Sequence, residues 1–446
     1  MFLTLQDFLK HFPKLSMTKT EFAKKFTIMY SKPQSLTEIF NCVVPTGRKT
    51  AIIKNPLTDK RYINRDRVIE YFYEILIRNR YKYLALFYEA YFSYKLPTDL
   101  KWTSQNLLLD DNKLDAPRIS VQKNDASRRI IRNLFYLELL HLTQITNTVK
   151  SSVSFWQSLV NMYNKLQLED RFFAPSSIDL FLRDKNTKRE QLTGIKEINH
   201  NNLFYLFQAY QPKASIFNPY AIKWILENVL AKHLYTSPKR IFTPVLSWAS
   251  YLMAFMHIKS YQHYVGVDVM PSVCKKAKFL AEWYGTLGPQ FKKQVDIYCQ
   301  PSETLLSNLK FLKRFTGYFD TIIICPPYYD MEIYHEGDQS IDKYKTYQSW
   351  LTGYWENTVK LCQIVSAKKC VFAVIANDYQ TLDKKTYKLT TDLHNITSKY
   401  FSYKGKYYLQ NRTSPLRAAA KDRVERLFVY SNLKPAKIKI NKKGRS

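Results

Sequence analysis

Residues 319–330 read Phe-Asp-Thr-Ile-Ile-Ile-Cys-Pro-Pro-Tyr-Tyr-Asp. Each proline ring fixes φ and neither residue can donate to a ladder, so Pro326 and Pro327 end a strand abruptly. The result is a stiff elbow with Tyr328 and Tyr329 at its tip, placed where an α/β sheet presents its ligands. A second candidate is YVGVDVMPSVCKKAKFL (264–280), in which a strand ends at Asp268 and a helix begins near Pro271. An acid at the end of the second strand of such a sheet grips a ribose diol. The same residue type also serves as an ordinary helix N-cap. Other chemistries find no support. The eight histidines form no HExxH or paired spacing, no GxSxG or P-loop string occurs, and the six cysteines show no CxxC, so no metal site or disulfide framework is implied.

The elements that must carry these residues form two regimes. Up to about residue 210 the apolar residues recur at helical spacing, as in 65–94 and 126–145, which predicts a mainly helical domain over 1–210. Within it, 42–67 has strand-like runs around a turn and reads as a small hairpin carrying Arg48, Lys49, Lys54, Lys60 and Arg61. That is either a DNA-facing element or a solvated loop. Over 211–433 short apolar runs (240–248, 263–269, 295–299, 319–325, 370–377, 426–431) alternate with helical ones. Such alternation predicts a parallel sheet with helices on both faces. The last stretch, 434–446, is a basic tail.

The 446 residues suffice for two or three domains, and a 46% hydrophobic content excludes a disordered chain. Only 10 glycines occur beside 34 tyrosines and 27 phenylalanines, a bias that an AT-rich genome would also write. Lys and Arg number 68 against 37 acids, a formal charge of +31, and a surface that positive attracts polyanions. Nucleic acid is the leading expected partner, with an anionic membrane surface a poor second. No apolar run approaches the length of a membrane span, and the first residues lack the apolar core of a signal peptide, so the expected location is intracellular, cytoplasmic or in the nucleoid or nucleus.

Read with Asp268, the elbow resembles the S-adenosylmethionine-dependent methyltransferases that act on adenine N6 or cytosine N4 in DNA. Their fourth-strand motif, an Asp, Asn or Ser followed by Pro-Pro and an aromatic residue, stands here as Cys325-Pro326-Pro327-Tyr328. TPVLSWASYLMAF (243–255) is similar to the family's first cofactor loop: Pro244 and Trp248 match, while Thr243, Ser247, Ala249 and Ser250 stand where an Asp and glycines are expected. FNPYAIKWIL (217–226) is similar to the Phe-x-Pro stretch that precedes that loop. The resemblance covers roughly 215–431.

It implies a Rossmann-like methyltransferase sheet and S-adenosylmethionine as cofactor. Phe217, Pro219, Thr243, Pro244, Ser247, Trp248, Asp268, Val269, Gln300 and Ser302 would contact that cofactor, with Asp268 on its ribose and 300–302 near its adenine. Tyr328 would stack on a base drawn out of the helix, and the Pro326 carbonyl would accept one amine hydrogen. Residue 325 would supply the second acceptor, a role in which a thiol is weak. Tyr329 would shape the rim against nucleic acid. With little chain between the cofactor loop and the elbow, target recognition would fall to the N-terminal domain. The glycine-poor loop supports a second reading: a catalytically inactive methyltransferase-like chain that binds nucleic acid, or that supports a protein partner through its N-terminal domain.

Overall fold

The computed structural model describes residues 1–12, 14–30, 43–45, 50–52, 70, 73–94, 108–109, 116–120, 125–141, 143–144, 216–234, 237–334, 336–380, 385–410 and 425–432. The chain divides into two compact units, Met1–Tyr94 with Arg132–Ser215, and Lys95–Ile131 with Ile216–Ser446.

The second unit is built on one sheet. Its main strands are β1 Arg240–Thr243, β2 His263–Asp268, β3 Gln294–Cys299, β4 Phe319–Ile324, β5 Ser366–Ala376, β6 Phe401–Gln410 and β7 Glu425–Asn432. Their spatial order is 3-2-1-4-5-7-6. β3, β2, β1, β4 and β5 run parallel, whereas β7 is inserted antiparallel between β5 and β6. Strands covered on both faces read as near-continuous apolar runs, which is what Ile322-Ile323-Ile324 and Val371 to Ala376 show, all of them buried.

Among the described residues of this unit the longer helices are α1 Pro219–Asn228, α2 Ser250–Met256, α3 Pro271–Thr286, α4 Leu309–Phe315, α5 Glu356–Val365 and α6 Leu389–Thr397. On one face Phe311, Phe315, Trp355, Val359, Cys362 and Leu393 close a core over Phe242, Val265, Ile322, Ile324 and Phe372. On the other, Phe255 of α2 packs on Tyr264 at 5.4 Å, and His257 meets Tyr284 of α3 edge-on. This is the doubly wound α/β architecture that the alternation predicts.

Two features lie beyond the sequence reading. β6 falls in no predicted apolar run, because Phe401-Ser-Tyr-Lys-Gly-Lys-Tyr-Tyr alternates with lysines and takes its pairing from β7. The short strand Arg118–Ser120 pairs parallel with β6, Ile119 opposite Leu409, and Leu108–Leu109 adds an antiparallel edge. These two short strands, at 108–109 and 118–120, therefore extend the sheet of the second unit.

In the first unit the described residues are mainly helical, as expected. Thr4 caps helix Leu5–Lys10 by accepting from the Asp7 amide, and Phe8 packs against Phe87 and Phe92, the latter following helix Arg80–Tyr91. Asn133 ties the N-terminus down, accepting from Leu3 N–H at 2.8 Å and donating to the Leu3 and Phe92 carbonyls. The expected hairpin forms between Val43–Pro45 and Thr50–Ile52. Arg48, Lys49, Lys54, Lys60, Arg61 and the tail 434–446 lie outside the described residues.

Gly266 in β2 is one of few glycines, and a Cβ there would sit 2.4 Å from Leu246 Cδ2 and 2.7 Å from the Tyr264 ring. Gly266→Ala should lower stability by about 1–3 kcal/mol through overpacking. Gly285→Ala, which meets nothing within 4 Å in α3, should be neutral or stabilising. Paired urea denaturations compare the two.

Candidate functional site

Five strand ends meet at the carboxyl edge of the sheet: Thr243, Asp268, Cys299, Ile324 and Ala376. The chain leaves β1 towards β2 on one side and returns from β3 to β4 on the other. In such sheets the reversal between β1 and β4 is the standard place for a ligand.

The loop after β1 turns through three consecutive left-handed residues, Ser247 (φ 49°), Trp248 (φ 55°) and Ala249 (φ 56°), and none is a glycine. Such a conformation costs about 1–2 kcal/mol per residue with a side chain. It persists because its surroundings over-determine it. Leu246 is fully buried above Gly266, Trp248 lies against the Tyr334 ring at 5.9 Å, and the Ser247 carbonyl accepts from Ser250 N–H. The backbone path for which glycines are expected is thus kept without them. Thr243 does not take the place of the expected acid. It is wholly buried, and its hydroxyl lies 2.6 Å from that of Tyr264, committed to the core. Pro244 is buried, as are Phe217 and Pro219, and α1 packs against α2, with Asn218 capping α1 through the Tyr220 amide.

At the end of β2, Asp268 Oδ1 accepts from Met270 N–H at 3.1 Å, while Met270 itself holds the N-cap position of α3. The helix-cap reading therefore does not describe Asp268. Burial pushes its carboxyl up to about 6, with the amides of Met270, Val269 and Leu246 pulling it back and the nearby Glu336 charge adding to the rise. The chain after the elbow approaches this strand end closely. A Cβ on Gly337 would fall 2.1 Å from the Val269 carbonyl oxygen, and Glu336 accepts from both the amide and the hydroxyl of Ser272.

After β3, Gln300 is half-buried, and Ser302 is buried with its hydroxyl 3.1 Å from that of Thr358. The next residue was missed by the sequence reading. Glu303 has a buried side chain: Oε1 accepts from Tyr344 at 3.2 Å and pairs with Lys343 at 3.4 Å, whereas Oε2 is buried with no partner. Its only sequence signal is an acid directly after the third strand. The Tyr354 hydroxyl is buried beside the Ser302 side chain, and burial together with the charges of Glu303 and Asp268 pushes it well up. Near β1 the Ser250 hydroxyl is buried without a partner, and the buried Tyr251 hydroxyl lies beside the Ser247 side chain. Buried polar atoms normally find partners, so Glu303 Oε2 and the Ser250 hydroxyl are places where a polar ligand could bind.

The elbow follows β4. Pro326 is buried, and Cys325, Pro327, Tyr328 and Tyr329 are half-buried. Tyr328 stacks on Tyr379, at 5.4 Å between centroids and 25° between planes. Tyr329 donates its hydroxyl to the Lys345 carbonyl at 2.7 Å and packs edge-on against Tyr347 and Tyr387. The Cys325 thiol is among the groups that, with burial, raise the Tyr251 hydroxyl in α2. The structure thus brings Trp248, Asp268, Val269, Gln300, Ser302 and 325–328 to one edge of the sheet, while Thr243 turns inward. Among the described residues no group of three or more His, Cys, Asp or Glu side chains could hold a metal, and no helix is long and apolar enough to cross a membrane.

No family model and no curated protein matches the sequence. Among solved structures, the chain is similar to TrmN from Thermus thermophilus (12% identity, TM-score 0.32, 49% of this chain and 51% of that one). It is also similar to spermidine synthase from Thermotoga maritima (14%, 0.29, 47% and 58%). A third is the 1,6-didemethyltoxoflavin-N1-methyltransferase of Burkholderia thailandensis (11%, 0.28, 48% and 78%). These are loose likenesses, and the strand order carries the fold assignment.

Ala249→Gly should stabilise the chain by about 0.5–1 kcal/mol, the relief of one left-handed side chain less the added freedom of the unfolded backbone. Chemical denaturation measures it. Asp268 has a folded-state value above its unfolded one, so its protonated form stabilises the fold at low pH, and that contribution disappears as pH rises through about 6. Asp268→Asn should accordingly raise Tm at pH 8 and leave it nearly unchanged at pH 4.5.

Proposed function

We propose that the chain is an S-adenosylmethionine-dependent methyltransferase acting on the exocyclic amine of adenine or cytosine in nucleic acid, DNA ahead of RNA. The observation that carries this reading is the convergence on one sheet edge of the acid that ends β2, the unpartnered Glu303 Oε2 after β3, and a tyrosine-tipped double-proline elbow after β4.

The cofactor, when bound, supplies a methyl group on a sulfonium. The residues that would hold it fit its parts. Ionised Asp268 accepts from ribose hydroxyls. Glu303 Oε2 accepts from an adenine amine. The left-handed turn 247–249 offers backbone and the Ser250 hydroxyl to the amino-acid end. An exocyclic amine is a poor nucleophile because its lone pair is delocalised into the ring. The protein's task is to hold it in line and to accept its hydrogens as the nitrogen becomes tetrahedral. Tyr328 gives the base a stacking surface, the Pro326 carbonyl accepts one hydrogen, and Cys325 occupies the position of the second acceptor. The basic N-terminal unit and the +31 charge fit a polyanionic partner.

Two observations favour a second reading: Cys325 is a weak acceptor, and the turn after β1 carries three side chains where the cofactor needs close backbone approach. A chain that has ceased to catalyse would keep the architecture and the charge and act as a nucleic-acid-binding scaffold, or pair with another protein through its N-terminal unit.

Titration calorimetry with S-adenosylmethionine should give micromolar or tighter binding at pH 7.5 that weakens below about pH 6, where Asp268 takes up a proton and no longer accepts two ribose hydroxyls. No heat at high cofactor concentration would select the scaffold. Tyr328→Ala should cut methyl transfer by about 10- to 100-fold, the worth of one stacked base, while leaving duplex affinity within about twofold. Equal losses in both would make Tyr328 a packing residue.

A further inference from the structure

Two residues beyond Tyr328, one carboxylate gathers the hydroxyls of two tyrosines. Tyr379 donates to Asp330 Oδ1 at 2.7 Å and Tyr387 to Asp330 Oδ2 at 3.2 Å, while the Asp330 N–H points back at the Tyr379 hydroxyl at 3.4 Å. The rings form a continuous stack, with Tyr328 on Tyr379 at 5.4 Å and 25°, and Tyr379 on Tyr387 at 5.0 Å and 27°. Beyond them the Lys385 ammonium lies 4.8 Å from the Tyr387 centroid. Tyr379 and Tyr387 are buried and sit directly opposite each other in the short antiparallel ladder that follows β5. A ring carried by the elbow after β4 is thereby fixed to a ladder that leaves the neighbouring strand.

Packing alone does not ask for this arrangement. Phenylalanine at 379 and 387 would fill nearly the same volume and leave no phenol to satisfy. The shared acceptor belongs to the elbow itself, so its two bonds fix the elbow's orientation against the stack rather than merely filling a core. Charge-assisted bonds of this kind are short and directional.

We propose that Asp330, Tyr379 and Tyr387 form a positioning clamp that sets the plane of the Tyr328 ring, and with it the plane in which a single flat nucleobase is presented to the methyl donor. This inference rests on the methyl-transfer reading above. The clamp touches neither base nor cofactor. It acts through Tyr328, and a tilt there displaces the amine from the line of transfer, where a shift of about 1 Å costs about 100-fold in rate.

The test uses the full-length protein with 3-fluorotyrosine placed at 328, in the wild type and in Tyr379→Phe, Asp330→Asn and Asp330→Ala. Transfer from radiolabelled S-adenosylmethionine is measured into unmethylated plasmid DNA, together with fluorine NMR of the labelled ring, cofactor affinity and Tm. Expected is one narrow fluorine line in the wild type, shifted or broadened in Tyr379→Phe. In that variant kcat should fall by about 10-fold or more while KM for DNA and cofactor affinity stay within about twofold. Asp330→Asn, which keeps an acceptor oxygen, should recover part of what Asp330→Ala loses. An active wild type whose kcat is untouched by Tyr379→Phe overturns the clamp, as does a fluorine line indifferent to all three substitutions. A wild type with no transfer, but with the expected change in the fluorine line, locates the failure in the methyl-transfer reading and removes the catalytic role claimed for the clamp.

Discussion

The pairing of β1 with β4 is the constraint from which the site follows. Only two residue pairs define it, Ile241 with Thr321 and Phe242 with Ile322, yet it brings the ends of strands almost 80 residues apart side by side. Because the chain departs to opposite sides of this pair, no crossover covers the edge above it, and the loops after β1 and β4 leave the sheet side by side. Neither loop could perform its part elsewhere. The elbow is stiff through its prolines, but stiffness is useful only when the base of the elbow is anchored. Ile322, Ile323 and Ile324, all fully buried, anchor it.

The glycine-poor composition makes the other half of the site unusual. A left-handed turn is normally assigned to glycine because a Cβ collides with the following carbonyl. Here Ser247, Trp248 and Ala249 adopt it together, so the conformation is held from outside rather than tolerated from within. The holding groups are large and apolar: Leu246 over Gly266 and Trp248 against Tyr334. Gly266 and Gly337 stand where backbone or side chain from another loop comes too near for any Cβ. Gly266 and Gly337 thus mark close approaches, while at the turn packing takes over glycine's role.

Aromatic residues fill a similar gap at the elbow. Tyrosine is abundant in this chain, and it supplies both ring area and a hydroxyl that must be satisfied when buried. Around 325–330 those hydroxyls reach Asp330, Asp392 and the Lys345 carbonyl, tying four separate segments into one aromatic body. The stiffness of two prolines thereby extends over a much larger area than the elbow itself.

Local pattern was enough to specify the strand–helix alternation, the end of β4 at its prolines and the end of β2 at Asp268, because apolar periodicity and proline sterics act within a few residues. The same local rules left Asp268 open to a helix-cap reading, and the family resemblance put Thr243 against the cofactor. Tertiary contact decided both: the cap position fell to Met270, and the Thr243 hydroxyl found Tyr264, 21 residues away. β6 escaped notice since its lysines hide a strand that exists through its partner β7. Glu303 and the Asp330 clamp were beyond reach for the same reason. A carboxylate in sequence carries no sign of whether it will be solvated or buried, and its partners Tyr344, Tyr379 and Tyr387 lie about 40 to 60 residues downstream.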